Sequence, residues 1–451
     1  MPTAIRTVPQ LNLQIIAKIL DCFDPSQWED RTTLHAAALC SHSLNKICQA
    51  ILFREIHLHD IRGTHSNPLR EGYISISKRS ERLQRTLKKN PNLITLIHKL
   101  TVTISGYEKG LGKIKAFREL LTFIANARTP NLKALHIKGD CTMKENRSFE
   151  KHILYPVLAS RITHLAFDSV RAVPISLIAH CSNLVNLRLH GAQVETLDAV
   201  PSLRPNSNVP SLTSLDITGS YAMLNTLISQ PSDSTPFLRL TRLSHFTTSI
   251  SCPSHDIPFV SRIFRLNQAS LKSLDLSLNL FNNHISGFPG MEELSFNACT
   301  AVEAVDLRLQ ISLHRIGNCR SRLDEIVAAL QTIPSNNSLK LFNLYLHIHS
   351  AQYAPDFLDD CEAEWVNMDA ELARMIGNRK VAVNLHIKYS TDVYKPSTEV
   401  MAQQLESIMW DIDRECFVLT KETMEGSFRF VFEFVNEYYS HTSYCTTVIY
   451  R

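Results

Sequence analysis

The sequence predicts an α/β fold in which short parallel strands alternate with helices in an irregular repeat array. Three observations lead to this prediction: a leucine pattern recurs along the chain, stretches with helical spacing of apolar residues lie between its copies, and the chain has 451 residues. One compact core stops growing at about 250 to 300 residues, so this length indicates several units or an elongated array. The hydrophobic content of 44% and the charged content of 20% are typical of a folded protein.

The repeated pattern is Leu-x-x-Leu-x-Leu, whose three apolar positions are expected to face inward from a short strand. Its copies are Leu132/Leu135/Ile137, Ile162/Leu165/Phe167, Leu184/Leu187/Leu189, Leu212/Leu215/Ile217, Leu271/Leu274/Leu276, Met291/Leu294/Phe296 and Leu341/Leu344/Leu346, with a degenerate copy at Leu240/Leu243. From Leu132 to Met291, successive first positions lie 20 to 31 residues apart, close to the leucine-rich-repeat period of about 20 to 29 residues. We therefore expect an irregular leucine-rich-repeat solenoid, with parallel strands inside and helices outside. The alternative is a generic α/β domain with leucine-rich strands.

Other segments predict the helices and strands that complete this array. Helical spacing predicts helices at residues 76–89, 113–127, 151–159, 175–180, 222–229, 258–267, 321–332, 359–376 and 397–414. Alternating or β-branched runs predict strands in residues 93–105, 305–313, 381–389, 428–434 and 446–450. The predicted domains are residues 1–60, a helical module; 61–130, a linker and lead-in; and 131–451, a leucine-rich-repeat-like domain with an atypical C-terminal cap.

The N-terminal segment predicts helices with more apolar surface than they can enclose. Leu13, Ile16 and Leu20 lie at helical spacing behind Pro9, whose fixed φ suits a helix start. Residues 34–52 add further apolar faces, too many for about fifty residues to bury in a self-sufficient core. We expect something else to cover part of this surface. The alternative is that the same residues close an ordinary helical cap.

This stretch resembles an F-box, in the style common among fungal F-box proteins. Val8-Pro9 corresponds to the opening Leu-Pro of that family, residues 13–20 and 34–42 to its first two helices, and Leu52-Phe53-Arg54-Glu55-Ile56 to its closing signature. The sequence departs from the family pattern at Leu11, Cys40, His42 and Leu44. The resemblance implies three short helices that bind the Skp-type adaptor of a cullin-RING ubiquitin ligase, and a cullin through that adaptor. It assigns adaptor binding to Val8, Pro9, Leu13, Ile16, Leu20, Leu39, Cys40, Leu44, Ile47, Leu52 and Phe53.

Charge and cysteine content exclude several classes of protein. The 47 basic and 43 acidic residues give a net charge of +4, which is not the broad positive surface that nucleic-acid binding needs. The eleven cysteines form no C-x-x-C pair and no Cys/His cluster of zinc spacing, as expected in a reducing compartment. The chain shows no apolar leader and no apolar run long enough to span a membrane. We expect a cytoplasmic or nuclear protein that binds neither membrane nor nucleic acid.

Three weak signals for chemistry do not reach a recognisable site. The loop Gly106–Lys113 resembles a phosphate loop, but its spacing is one residue too long and Ile114 replaces the hydroxyl residue. His347 and His349 share one strand face without a third metal ligand. The acidic residues in 356–364 lack the glycine of a calcium loop. We expect no enzyme activity, no cofactor and no metal.

Polar residues beside the inward positions are the candidates for partner binding. In a solenoid they lie side by side on the concave face, where protein partners usually bind. They are His136, Lys138, Asp168, Arg188, His190, Asp216, Thr218, Asp275 and Ser277. Their mixed charge favours a protein target over a single ionic ligand.

The sequence as a whole therefore predicts a substrate receptor of an SCF-type ubiquitin ligase. The helical module would bind the adaptor, the repeats would bind an unknown protein target, and proximity would accelerate ubiquitin transfer. A leucine-rich-repeat scaffold that recruits no ligase is the alternative. A nucleotide-dependent enzyme depends only on the loop Gly106–Lys113.

Overall fold

The structure is a computed structural model of the chain. It describes residues 12–25, 27–59, 75–104, 114–127, 131–143, 161–194, 209–228, 236–279, 294–313, 318–350, 361–377, 379–391, 407, 412–423, 428–436 and 443–450. Contacts within the chain define two units. The first unit is Met1–Pro210 with Pro231–Phe237, and the second is Ser211–Gln230 with Leu238–Arg451.

The first unit joins three N-terminal helices to a parallel sheet. Its helices are α1 (Leu13–Asp21), α2 (Trp28–Cys40), α3 (His42–Arg54), α4 (Ile76–Lys89), α5 (Lys115–Ala125) and α6 (Ile175–His180). Its strands are β1 (Glu55–His59), β2 (Lys99–Thr103), β3 (Ala134–Thr142), β4 (His164–Arg171) and β5 (Asn186–His190). The five strands pair in chain order, and every pair is parallel.

Local signals explain where several of these helices begin. The side chains of Asn12, Ser41 and Ser75 accept hydrogen bonds from backbone amides at the starts of α1, α3 and α4, as N-cap residues do. Helix α4 has the bounds that helical spacing predicted. The three helices predicted for the N-terminal module are present as α1, α2 and α3. The segment 93–105 was predicted as a strand region, but a 3₁₀ helix, Pro91–Leu96, precedes β2.

Strand register shows that the repeats begin earlier than the leucine pattern indicated. Ile56 and Leu58 of β1 align with Leu100 and Val102 of β2, and those two align with Leu135 and Ile137 of β3. Phe53-x-x-Ile56-x-Leu58 is therefore a copy of the repeat motif. Parallel strands thus occur within the predicted helical module, residues 1–60, and within the predicted lead-in, residues 61–130. Isoleucine and valine at leucine positions hid these copies.

The second unit consists of strands that alternate with helices. Its helices are α7 (Tyr221–Ile228), α8 (Pro253–Leu266), α9 (Asn318–Gln331), α10 (Glu362–Ile376) and α11 (Val418–Thr423). Its strands are β6 (Ser214–Thr218), β7 (His245–Ile250), β8 (Ser273–Asn279), β9 (Ala304–Leu313), β10 (Leu341–Ser350), β11 (Ala382–Thr391), β12 (Phe428–Asn436) and β13 (Ser443–Tyr450). Strands β6 to β12 pair parallel in chain order. Strand β13 pairs antiparallel with β12, so a reversed strand covers the edge of β12.

Two predicted repeat copies in this unit have a different register in the structure. In β7, Phe246 aligns with Leu215 and Leu274, so the degenerate copy is Leu243/Phe246/Thr248 and not one that starts at Leu240. In β10, the fully buried Phe342 aligns with Val305 of β9, so this copy is Leu339/Phe342/Leu344 and not Leu341/Leu344/Leu346. Runs of adjacent apolar residues made the registers ambiguous, because shifting a strand by one residue exchanges its two faces.

One predicted copy forms no strand. Leu294 and Phe296 are buried, but the segment that contains them is not hydrogen-bonded as a strand, and Met291 lies outside the described residues. The next strand is β9, whose buried residues Val305 and Leu307 align with β8. The predicted helix 151–159, most of the predicted helix 397–414 and the loop Gly106–Lys113 also lie outside the described residues.

Candidate functional site

The N-terminal helices form a small module with its own interior. Leu20, Leu34, Cys48 and Ile51 make a buried cluster, and none of them is more than 7% exposed. The half-buried apolar residues around this cluster are Ile16, Phe23, Ala37, Ala38, Leu44, Ile47 and Leu52. An ion pair between Arg54 and Asp21, 2.7 Å apart, links the end of α3 to the end of α1. The module is thus held together without its outermost apolar residues.

Four large apolar side chains remain outside this interior, and we call them the exposed apolar set. Leu13, Ile15 and Ile19 on α1 are 47%, 52% and 52% exposed, and Leu39 near the end of α2 is 88% exposed. Ile15 and Ile19 are four residues apart and therefore adjacent on the surface of α1. The sequence analysis identified Leu13 and Leu39 but missed Ile15 and Ile19. The helical spacing of 15 and 19 was the signal that could have found them.

The residues predicted to bind the adaptor have different environments in the structure. Cys40 is exposed beside Leu39, whereas Leu20 is buried in the module and presents no surface. Phe53 is half-buried at the junction of α3 and β1. Ile16, Leu44, Ile47 and Leu52 pack against the module interior. Val8 and Pro9 lie outside the described residues.

In the first unit, the polar strand positions form one connected charge network. Strand register places Lys138, Asp168 and His190 side by side on β3, β4 and β5. Nε2 of His136 is 2.7 Å from Oδ2 of Asp168. Nε of Arg188 is 3.2 Å and Nδ1 of His190 is 3.9 Å from Oδ1 of Asp168. Four of the predicted target-binding residues are therefore brought together around one carboxylate.

The environment of Asp168 keeps its charge. Burial alone would raise the pKa of this carboxyl, but the hydrogen bond from His136 and the charges of His136, Arg188 and His190 outweigh burial, so its pKa lies below the usual value. The side chain of Asp168 is only 12% exposed. A buried carboxylate with several partners fixes the positions of the cationic side chains around it.

In the second unit, the polar strand positions carry a row of carboxylates. Register places Thr247 between Asp216 and Asp275 and then adds Asp306 of β9. Nη1 of Arg308 is 3.0 Å from Asp275. Burial raises the pKa of Asp275, and the neighbouring charges of Asp306 and Asp216 add to the increase while Arg308 opposes it. Thr218 and Ser277 lie in the next row, which also contains Ser249 and Arg308.

The same rows continue on strands that the repeat pattern did not identify as binding surface. Asn384 of β11 donates to Asn343 of β10 across 2.6 Å, and Asn343 donates to Asp306 across 2.5 Å. The guanidinium of Arg308 lies 5.6 Å from the ring centroid of Tyr345. The alternating residues of 305–313 were a signal for Asp306 and Arg308. Asn343 and Asn384 became visible only through register.

The described residues offer no catalytic or metal centre. His347 and His349 share the hydroxyl of Ser390, at 2.9 and 3.1 Å, and no group of three or more His, Cys, Asp or Glu in the described ranges is arranged to hold a metal ion. Burial raises the pKa of the Cys181 and Cys299 thiols to about 12, so both stay protonated and unreactive. In the described ranges, no helix is long and apolar enough to cross a membrane.

Comparisons with known proteins add one distant structural likeness. No family model matches the chain, and no curated protein matches it. Among solved structures, an internalin (inlF) from Listeria monocytogenes str. 4b F2365 is similar at 14% sequence identity and a TM-score of 0.24, covering 74% of this chain and 92% of that chain. A TM-score this low carries no argument about fold or function. The leucine-rich-repeat character of this chain is established by its own parallel strand order and by the aligned, buried apolar positions.

Proposed function

We propose that this chain is a substrate-recognition subunit of an SCF-type cullin-RING ubiquitin ligase. The N-terminal helices bind a Skp-type adaptor, and the polar strand faces bind a protein target. The chain itself contributes no catalytic residue, because holding the target near the ligase is enough to accelerate ubiquitin transfer.

The exposed apolar set is the observation that carries this proposal. The helical module already has a buried cluster of its own, yet Leu39 is 88% exposed and Ile15 and Ile19 are each 52% exposed. Covering one such side chain stabilises a complex by about 1.5 to 3 kcal/mol. Concentrated apolar surface of this kind is typical of a binding site. The F-box resemblance of the same helices supports a Skp-type adaptor as the partner.

The polar networks on the strands support the second half of the proposal. Repeat arrays present extended surfaces to protein partners. In the first unit such a surface is centred on Asp168, and in the second it contains Asp216, Asp275, Asp306 and Arg308. Groups of both signs give specificity for a partner with a complementary pattern.

A repeat scaffold without ligase recruitment is the alternative, and one observation favours it. Helix α3 ends at Arg54 and β1 begins at Glu55, so the helices continue directly into the first parallel strand. In that arrangement the helices would serve only to cover the start of the sheet. The two hypotheses make different predictions for the exposed apolar set.

Adaptor retention by the full-length chain distinguishes them. The full chain is needed because β1 pairs with β2, so a fragment of residues 1–60 would lose its strand partner. The test compares wild type with Ile19→Asp and Leu39→Asp in co-purification with a Skp-type adaptor. The control is Leu266→Asp on α8, because Leu266 is 50% exposed and lies in the second unit.

We expect wild type and the Leu266→Asp variant to retain adaptor equally. The two module variants should lose at least about tenfold in affinity, because one buried aspartate removes more than 1.4 kcal/mol of binding free energy. If the intact chain retains no adaptor, the ligase hypothesis is wrong. Equal retention by all four proteins would also contradict it.

A further inference from the structure

A cleft of about 300 Å³ lies in the first unit, where α2, α3, β1 and α4 meet. Its apolar lining comes from Leu52, Phe53, Ile56 and Leu83. All four side chains are half-buried, so each still presents part of its surface to the cleft. This volume lies at the lower end of the range for small-molecule pockets. It is enough for one or two side chains of a bound peptide.

Three arginines also line the cleft. Arg31 comes from α2, and Arg79 and Arg82 come from α4. Glu55 is the one carboxylate among the described lining residues. Its Oε1 lies 2.6 Å from Nζ of Lys99 and 3.1 Å from Nε2 of His57, so its charge is already balanced by its own neighbours.

The cleft is therefore electropositive. Arg31 and Arg82 are exposed, and neither forms an ion pair with a carboxylate in the described part of the chain. The pKa of nearby His59 is lowered first by burial and then by the charges of Arg79, His57 and Arg31. Several positive charges thus act on the same region without a local acidic partner.

We propose that this cleft binds an acidic peptide segment of a partner protein, one in which an apolar side chain is flanked by aspartate or glutamate. The apolar side chain packs against Phe53, Ile56 and Leu83. The flanking carboxylates pair with the guanidinium groups of Arg31 and Arg82, whose planar geometry suits two-point contact with a carboxylate. This surface is distinct from the exposed apolar set, so the proposal does not depend on adaptor binding.

A peptide fits both kinds of lining better than the simpler ligands do. A small inorganic anion would pair with the arginines but leave the apolar lining uncovered. A purely apolar segment would cover the lining but leave the guanidinium groups without a charged partner. Burying apolar surface while pairing the charges at its rim is the usual anatomy of a specific protein contact.

Fluorescence anisotropy with the full-length chain tests the proposal. The probe is a fluorescein-labelled peptide, Glu-Asp-Glu-Leu-Phe-Glu-Asp-Glu. One comparison peptide replaces Leu-Phe by Ser-Ser, and a second replaces every acidic residue by Gln. Inorganic phosphate serves as a competitor for charge alone. We expect the probe to bind, both comparison peptides to bind at least about tenfold more weakly, and phosphate to compete poorly.

Charge reversal locates the binding site. Arg31→Glu and Arg82→Glu are compared with Arg85→Glu, a matched control on the same helix as Arg82. Arg85 is exposed, does not line the cleft, and donates from Nε to the carbonyl oxygen of Glu81. We expect the first two variants to lose about tenfold or more in affinity and the control to change less than about threefold. Circular dichroism checks folding, and Arg82→Gln provides a milder change at the same position.

Three results would overturn the proposal. The first is no binding of the probe by the intact chain. The second is an equal loss in the Arg85→Glu variant, which would indicate general attraction to a basic helix. The third is full competition by phosphate, which would indicate an anion site without a role for the apolar lining.

Discussion

The Asp168 carboxylate on β4 accepts a hydrogen bond from, or shares a proton with, the imidazole of His136 on β3, with Oδ2 and Nε2 only 2.7 Å apart. The same carboxylate lies 3.2 Å from Nε of Arg188 on β5. One side chain therefore links three neighbouring repeats on their polar face. Because it is 12% exposed, this contact is shielded from solvent far more than an ordinary surface ion pair.

Asp168→Asn should destabilise the first unit by about 1 to 3 kcal/mol at neutral pH, because the amide cannot balance the surrounding positive charge. The measurement is the free energy of unfolding from urea titration. Asp140→Asn is the control: Asp140 pairs with Arg171 at 3.1 Å, but the two side chains are 34% and 52% exposed, so its loss should cost at most about 1 kcal/mol. Equal losses in the two variants would contradict a special role for Asp168.

The contribution of Asp168 should also depend on pH. Its folded-state pKa lies below the ordinary value of 3.8, so ionised Asp168 stabilises the fold at every pH above the unfolded pKa. This stabilisation is lost as the pH falls through the lowered folded-state pKa. The difference in unfolding free energy between wild type and Asp168→Asn should therefore be constant from pH 7 down to about pH 5 and shrink in stronger acid.

Local patterns predicted the parts of the fold that depend on local interactions. Helical spacing gave the bounds of α4, Ile76–Lys89, because an amphipathic helix repeats its apolar face every few residues. The leucine motif correctly placed buried residues in β3, β4, β5, β6 and β8. It also brought His136, Asp168, Arg188 and His190 into one predicted surface, where the structure confirms that they meet.

The features that depend on pairing between distant segments could not be predicted in the same way. The role of β1 became clear only from its alignment with β2, since Phe53, Ile56 and Leu58 also fit the end of a helical module. Asn343 and Asn384 extend the polar rows through contacts between strands about forty residues apart in sequence. The exposure of Ile15 and Ile19 followed from which face of α1 packs on α2 and α3, and the sequence pattern left that choice open.

Gly139→Ala should disrupt the junction of β2 and β3. Gly139 has a φ of +112° and sits in a register irregularity between Lys138 and Cys141. A Cβ there would lie 1.9 Å from the backbone oxygen of Ile104, which cannot move without breaking strand contacts. We expect a loss of more than about 2 kcal/mol in unfolding free energy, from combined clash and backbone strain.

Gly191→Ala separates backbone strain from steric clash. Gly191 also has a positive φ, +58°, but the nearest atom to an added Cβ would be 3.8 Å away. This variant should lose only the left-handed backbone cost of about 1 to 2 kcal/mol. The prediction for Gly139 is wrong if the two variants have the same urea midpoint.

Thr248 and Tyr221 should be energetically coupled. Thr248 occupies a buried position on β7 that aligns with Ile217 and Leu276, and its hydroxyl lies 2.7 Å from the Tyr221 hydroxyl. Tyr221 donates its proton to the carbonyl oxygen of Ser249, 2.8 Å away, so Thr248 donates to Tyr221. Burial raises the pKa of Tyr221, which keeps this hydroxyl protonated throughout the physiological range.

A double-mutant cycle with Tyr221→Phe and Thr248→Val measures this coupling. Each single change keeps the side-chain shape but leaves a buried hydroxyl without its partner, so each should cost about 0.5 to 1.5 kcal/mol. The double variant removes both hydroxyls, and its loss should be smaller than the sum of the single losses by about 1 kcal/mol. Strictly additive losses would mean that a threonine replaces leucine in this repeat without using its hydroxyl. A positive coupling would show that the polar exception in β7 is compensated by the helix that follows β6.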